Sequence, residues 1–78
     1  MFKNIYELKV TRGTESMLDR IRLIIKCYIG NDPEESISDG GVSMVFKSDP
    51  VEFIKIKKSL TRYAKTLPVG VGIDLDRF

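Results

Sequence analysis

The stretch SMLDRIRLIIKCYI, residues 16–29, decides the fold, because its apolar residues satisfy two periods at once. Counted in helical steps, Leu18, Ile21, Ile25 and Tyr28 share one side while Asp19, Arg22 and Lys26 take the other. Counted in twos, Ile21, Leu23, Ile25, Cys27 and Ile29 share a face, with Arg20, Arg22 and Lys26 opposite. Four isoleucines and a tyrosine favour a strand locally. The end signals favour a helix: Ser16 can cap with Asp19 three positions on, and Gly30 followed by Pro33 is a stop. A helix over 17–29 also accounts for Met17 and Leu18, and it is the assignment adopted.

On the N-terminal side, residues 4–11 alternate, with Tyr6, Leu8 and Val10 on one face and Glu7, Lys9 and Thr11 on the other, the period of a half-buried strand. Arg12-Gly13 ends it. On the C-terminal side, Glu35 to Ser38, then Asp39-Gly40-Gly41, then Val42 to Lys47 reads as a hairpin whose glycines supply the positive φ angles of a tight turn. Its first strand is short and polar, which suits a sheet edge. Asp49, Pro50 and Glu52 form a capping box with proline at the first helical position. Phe53, Ile56, Leu60, Tyr63 and Leu67 then mark one buried face of a helix over 50–67, stopped by Pro68. Residues 69–75 predict a last strand, with Val69, Val71, Ile73 and Leu75 on one side and Gly70 and Gly72 nearly bare on the other.

Strand, helix, hairpin, helix, strand is the order of an α+β, ferredoxin-like βαββαβ sandwich, an antiparallel sheet with two helices on one face. Were residues 20–29 a strand, the alternative is a β-rich sheet carrying a single helix at 50–67. The expected core is Leu8, Val10, Phe46, Phe53, Ile56 and Leu60. With 78 residues there is room for one small globular domain, 1–78.

Composition narrows function by exclusion. There is no histidine, which removes the commonest general base and metal ligand. Cys27 is the only cysteine, so neither a familiar zinc site nor a Cys-His dyad can be assembled, and it reads as a small core or boundary residue. Gly70-Val71-Gly72 is followed by a strand and not a helix, so it is no nucleotide fingerprint. Asp74 and Asp76 share a strand face but read as solvated surface, not as a cation site. No catalytic residues, metal or cofactor are expected. No apolar run approaches the roughly 18 residues needed to cross a bilayer. The start, Met1-Phe2-Lys3-Asn4, shows no signal pattern, so a cytoplasmic protein without a membrane partner is expected.

What remains is charge. The net charge is only +2, yet residues 30–40 hold Asp32, Glu34, Glu35 and Asp39 without a base, and residues 53–66 hold Lys55, Lys57, Lys58, Arg62 and Lys65 without an acid. On the second helix Lys55, Lys58, Arg62 and Lys65 are spaced 3, 4 and 3, a stripe along one exposed side. These two oppositely charged groups are the candidate binding residues. The topology invites comparison with RNA-recognition domains, which stack bases on aromatic residues of the central strands. At those positions this chain has Val42 and Met44, and its first strand offers only Tyr6 on the core side, so membership is not claimed.

The expected function is therefore that of a non-enzymatic protein-binding module: an inhibitor, adaptor or regulator that covers a partner's surface. Phages and mobile elements encode small proteins of this plainness to block host machinery. A nucleic-acid binder using the stripe is the alternative, and a small-molecule sensor formed by paired domains a weaker third. The strand over 69–75, apolar on one face and uncharged until Asp74, is the expected site of a homodimer or of strand addition by a partner.

Overall fold

The computed structural model describes residues 3–38 and 40–78. Its elements run β1 (Asn4–Thr11), α1 (Glu15–Ile29), β2 (Glu34–Ser38), β3 (Gly41–Ser48), α2 (Pro50–Ala64) and β4 (Gly72–Arg77). The four strands form one antiparallel sheet in the order β2-β3-β1-β4, the βαββαβ arrangement of a ferredoxin-like fold. The two longest strands, β1 and β3, are central, and β2 and β4 are the edges.

Residues 16–29 are helical, although the cap lies two residues earlier than Ser16 implies. Thr14 is the N-cap, its Oγ1 accepting from the Met17 N–H at 3.3 Å, and Glu15 occupies the first turn, where a carboxylate suits the positive end of the helix dipole. Gly30 closes α1 with φ +79, and its N–H donates to the Lys26 carbonyl at 2.8 Å. Of the two competing periods the helical one wins because it buries Leu18, Ile21 and Ile25 together against the sheet.

The hairpin turns on Gly40, φ +78, while Asp39 lies outside the described residues. Gly41 already pairs with Ser38 in the ladder and needs no special φ. It must be glycine for another reason: a Cβ there would collide with the Val10 carbonyl oxygen. Asp49 caps α2 as its sequence implies, accepting from the Glu52 N–H at 2.7 Å.

Two boundaries fall elsewhere than expected. The second helix ends at Ala64, not at 67. Thr66 and Leu67 donate to the carbonyls of Tyr63 and Ala64, three residues back, so the last turn tightens. Pro68 bars the residue before it from the helical region. The last strand begins at Gly72, not 69, because Pro68 to Val71 form a turn: the Val71 N–H reaches the Pro68 carbonyl at 3.3 Å, and Gly70 has φ +102. Val69 is thereby fully exposed instead of packed.

The core lies between the helices and one sheet face. Tyr6, Leu8 and Val10 of β1, Met44 and Phe46 of β3, Leu18, Ile21 and Ile25 of α1, and Ile56 and Leu60 of α2 are buried. Each such side chain contributes about 1.5–3 kcal/mol, an upper figure for an area-based sum. Phe53 is only partly buried, but its ring stacks on Tyr6 with centroids 3.8 Å apart.

Candidate functional site

Because Ile56 and Leu60 fix which side of α2 meets the sheet, Lys55, Lys58, Arg62 and Lys65 are turned outward, and all four are exposed. The stripe spans about 15 Å of helix. Among the described residues none of the four lies within ion-pair distance of a carboxylate. Three bases elsewhere are paired: Lys9 with Glu7 and Lys26 with Asp32, each at 3.8 Å, and Arg22 with three acids, whereas Arg12, Arg20, Lys47 and Arg77 are not in ion pairs among the described residues. Among the described residues no carboxylate compensates the positive charge of the stripe.

The stripe borders two grooves. One, of about 490 Å³, runs along the outer side of α2 and is lined by Ile54, Thr61 and the stems of Lys57, Lys58, Arg62 and Lys65. The other, of about 540 Å³, lies between α1 and α2. Leu23, Ile24 and Tyr63 form its apolar part, Arg20 and Arg62 its basic rim, and Cys27 lines it as well. A hydrogen bond of 3.0 Å between the hydroxyls of Tyr28 and Ser59 joins the helices along it. Leu23, 53% exposed, is one of its large apolar contacts with solvent.

Cys27 is exposed, contrary to the core or boundary place its residue type suggests. It sits about 200° around the helix from Ile25, so burying Ile25 turns it out. Residues Arg20, Leu23, Tyr28 and Tyr63 were not singled out by charge spacing. The available signal was an apolar arc on α1 wider than the sheet can cover, since Leu23 and Ile24 fall outside the Leu18-Ile21-Ile25 side.

The acidic group does not form one surface. Glu35 accepts from the Arg22 Nε at 2.7 Å, and Asp32 pairs with Lys26, so both are engaged by α1. Glu34 points to the opposite sheet face, and Asp39 lies outside the described residues. Donation to the Glu35 carboxylate, aided by donation to Glu15, holds the Arg22 guanidinium above its ordinary pKa.

The sheet face away from the helices carries a different set. Register places Glu34, Val45, Glu7 and Asp76 in one row across the strands, and Ser36, Ser43, Lys9 and Asp74 in the next. Ser43 donates to Glu7 at 2.7 Å. Val42 and Met44, aligned above with base-stacking positions, face the helices, and the residues on the open face are Ser43 and Val45. On that face the central strands β1 and β3 carry no aromatic ring where an RNA-recognition domain needs stacking platforms, and Phe78, beyond the end of β4, lies opposite Ile5 at its margin.

Among the described residues no cluster of three His, Cys, Asp or Glu side chains could hold a metal ion. Nor is any described helix long and apolar enough to cross a membrane. The chain matches no protein-family model, no curated protein and no solved structure.

Proposed function

We propose that this chain is a non-enzymatic binding module that docks the outer surface of its two helices onto an acidic protein partner, as an inhibitor, adaptor or regulator. One observation carries this reading: the α2 stripe has no intramolecular counter-charge among the described residues and adjoins an apolar groove containing Tyr28, Tyr63, Arg20 and Arg62. Tyrosine and arginine beside exposed aliphatic residues are the composition of interface anchors, where the ring supplies area and the guanidinium supplies directed hydrogen bonds. The basic rim would steer an acidic surface into register and suppress basic competitors.

The test is affinity capture from a lysate of the encoding organism, with and without nuclease, using the native chain and Lys58→Glu/Arg62→Glu. A protein retained after nuclease by the native chain, lost with the reversed stripe and cross-linked to α1 or α2, supports the proposal. A second reading, single-stranded nucleic acid on the stripe, draws on the linear array of four unpaired bases. It requires capture that nuclease abolishes and a binding constant falling steeply with salt, by a slope of about 0.7 per phosphate neutralised.

A further inference from the structure

The helices do not cover the sheet evenly. A cavity of about 240 Å³ opens between α2 and the β4 edge, lined by Leu60, Ala64, Ile73 and Leu75, with Lys57 and Thr61 at its margin. Ile73 and Leu75 are packed against the core yet only half-buried. β4 is an edge strand, so half of its backbone groups have no partner in the sheet.

Which half follows from the ladder. The Phe78 N–H donates to the Ile5 carbonyl at 2.8 Å, so residues 5 and 78 form a hydrogen-bonded pair. Antiparallel pairs alternate between bonded and non-bonded. Asp74 and Asp76 therefore bond β1, opposite Lys9 and Glu7, and the N–H and C=O groups of Ile73, Leu75 and Arg77 point away from the sheet. The side chains alternate in the same rhythm: Ile73 and Leu75 lean over the cavity, and Asp74 and Asp76 stand on the open face.

We propose that the β4 edge is a docking site for an extended segment of a partner protein in which apolar residues alternate with lysine or arginine. Such a segment would take the backbone groups of Ile73, Leu75 and Arg77, place apolar side chains over the Leu60-Ala64 cavity, and set its basic side chains opposite Asp74 and Asp76. A second copy of β4 fits less well. Symmetric pairing centred at residue 74 or 75 brings Asp74 opposite Asp74, or Asp74 opposite Asp76, and like charges directly opposite each other are unfavourable. The other edge is differently equipped, since Glu35, one of the β2 residues whose backbone faces outward, is tied to Arg22 of α1. This site meets the outer groove of α2 at Lys57 and Thr61, but it is built on the β4 backbone, Asp74 and Asp76, which line neither helix groove, and either can fail without the other.

The experiment uses the full chain, isotope-labelled, titrated with three capped seven-residue probe peptides. One alternates valine with lysine, the second alternates valine with glutamate, and the third is the lysine peptide N-methylated along its pairing edge. The expected result is amide shifts and slowed hydrogen exchange at Ile73, Leu75 and Arg77 with the lysine peptide, and neither with the other two. Asp74→Lys/Asp76→Lys should weaken the lysine peptide by about twofold to fivefold per acid and admit the glutamate peptide. Ala64→Leu, which fills the cavity while leaving the strand intact, should weaken binding and leave the charge preference. Shifts confined to the helices, equal binding of the N-methylated peptide, or concentration-dependent protection of these amides in the free protein each overturn the proposal. The last outcome would assign the edge to a second copy.

Discussion

Arg22 of α1 donates from its Nε to Glu35 of β2 at 2.7 Å, a bond that fastens the first helix to an edge strand. The same guanidinium also meets Glu15 and Asp19 on its own helix. One residue thus gathers three carboxylates, and only Glu35 belongs to another element.

Glu35→Ala should therefore loosen β2 more than Asp19→Ala does. Both are solvent-accessible pairs, so each is worth about 1 kcal/mol or less in equilibrium denaturation. The discriminating measurement is amide exchange: protection should fall across the β2–β3 ladder with Glu35→Ala and stay unchanged with Asp19→Ala.

Leu60 is fully packed between α2 and the sheet, and Leu60→Ala should cost about 2–5 kcal/mol, a large part of the stability of so small a protein. Val69→Ala, at a fully exposed turn, should stay within about 0.5 kcal/mol. Urea titrations of the two variants check both figures, and a melting point for Leu60→Ala near that of the native chain would mean the helix is misplaced.

Two glycines next to β1 should respond differently to the same change. A Cβ on Gly41 would collide with the Val10 carbonyl oxygen, and Gly41→Ala should destabilise on the order of 1–3 kcal/mol by forcing two backbones apart. A Cβ on Gly72 meets the Thr11 side chain at an ordinary 3.6 Å, so Gly72→Ala should be neutral or slightly stabilising. Thermal denaturation of the pair separates close approach from mere edge position.

Cys27 offers a handle on the helix groove. An exposed thiol on α1 should react with a thiol reagent in the folded protein at close to the rate seen in denaturant. Alkylation with a bulky group should leave the far-ultraviolet circular dichroism intact while weakening the captured partner. Slow, unfolding-limited modification would contradict the outward placement.

Reversal of Lys58 and Arg62 to Glu should leave the melting temperature within a few degrees, since no charge pair is broken among the described residues. Partner affinity should fall, and the native chain's affinity should decline between low and physiological salt. Binding indifferent to both changes removes the stripe from the functional account.

Local chemistry made several features legible in the sequence. Asp49, Pro50 and Glu52 begin α2 by bonds within a single turn, and the alternation of Tyr6, Leu8 and Val10 names the inner face of β1 whatever its neighbours are. The stripe on α2 was legible for the same reason, because helical spacing alone sets which side chains share a side. Residues 16–29 were the opposite case: both periods fit, and only packing of Leu18, Ile21 and Ile25 against β1 and β3 decides between them and turns Cys27 outward. The end of α2 and the start of β4 moved because Pro68 and Gly70 build a turn whose bonds reach across three residues, which periodicity of apolar side chains does not register. The acidic residues Asp32, Glu34 and Glu35 are neighbours in the chain but not on one surface. The pleat sends Glu34 and Glu35 to opposite sides of the sheet, and Arg22, 13 positions away, claims one of them. Which charges stay unpaired depends on distances between elements, and only the tertiary structure sets those.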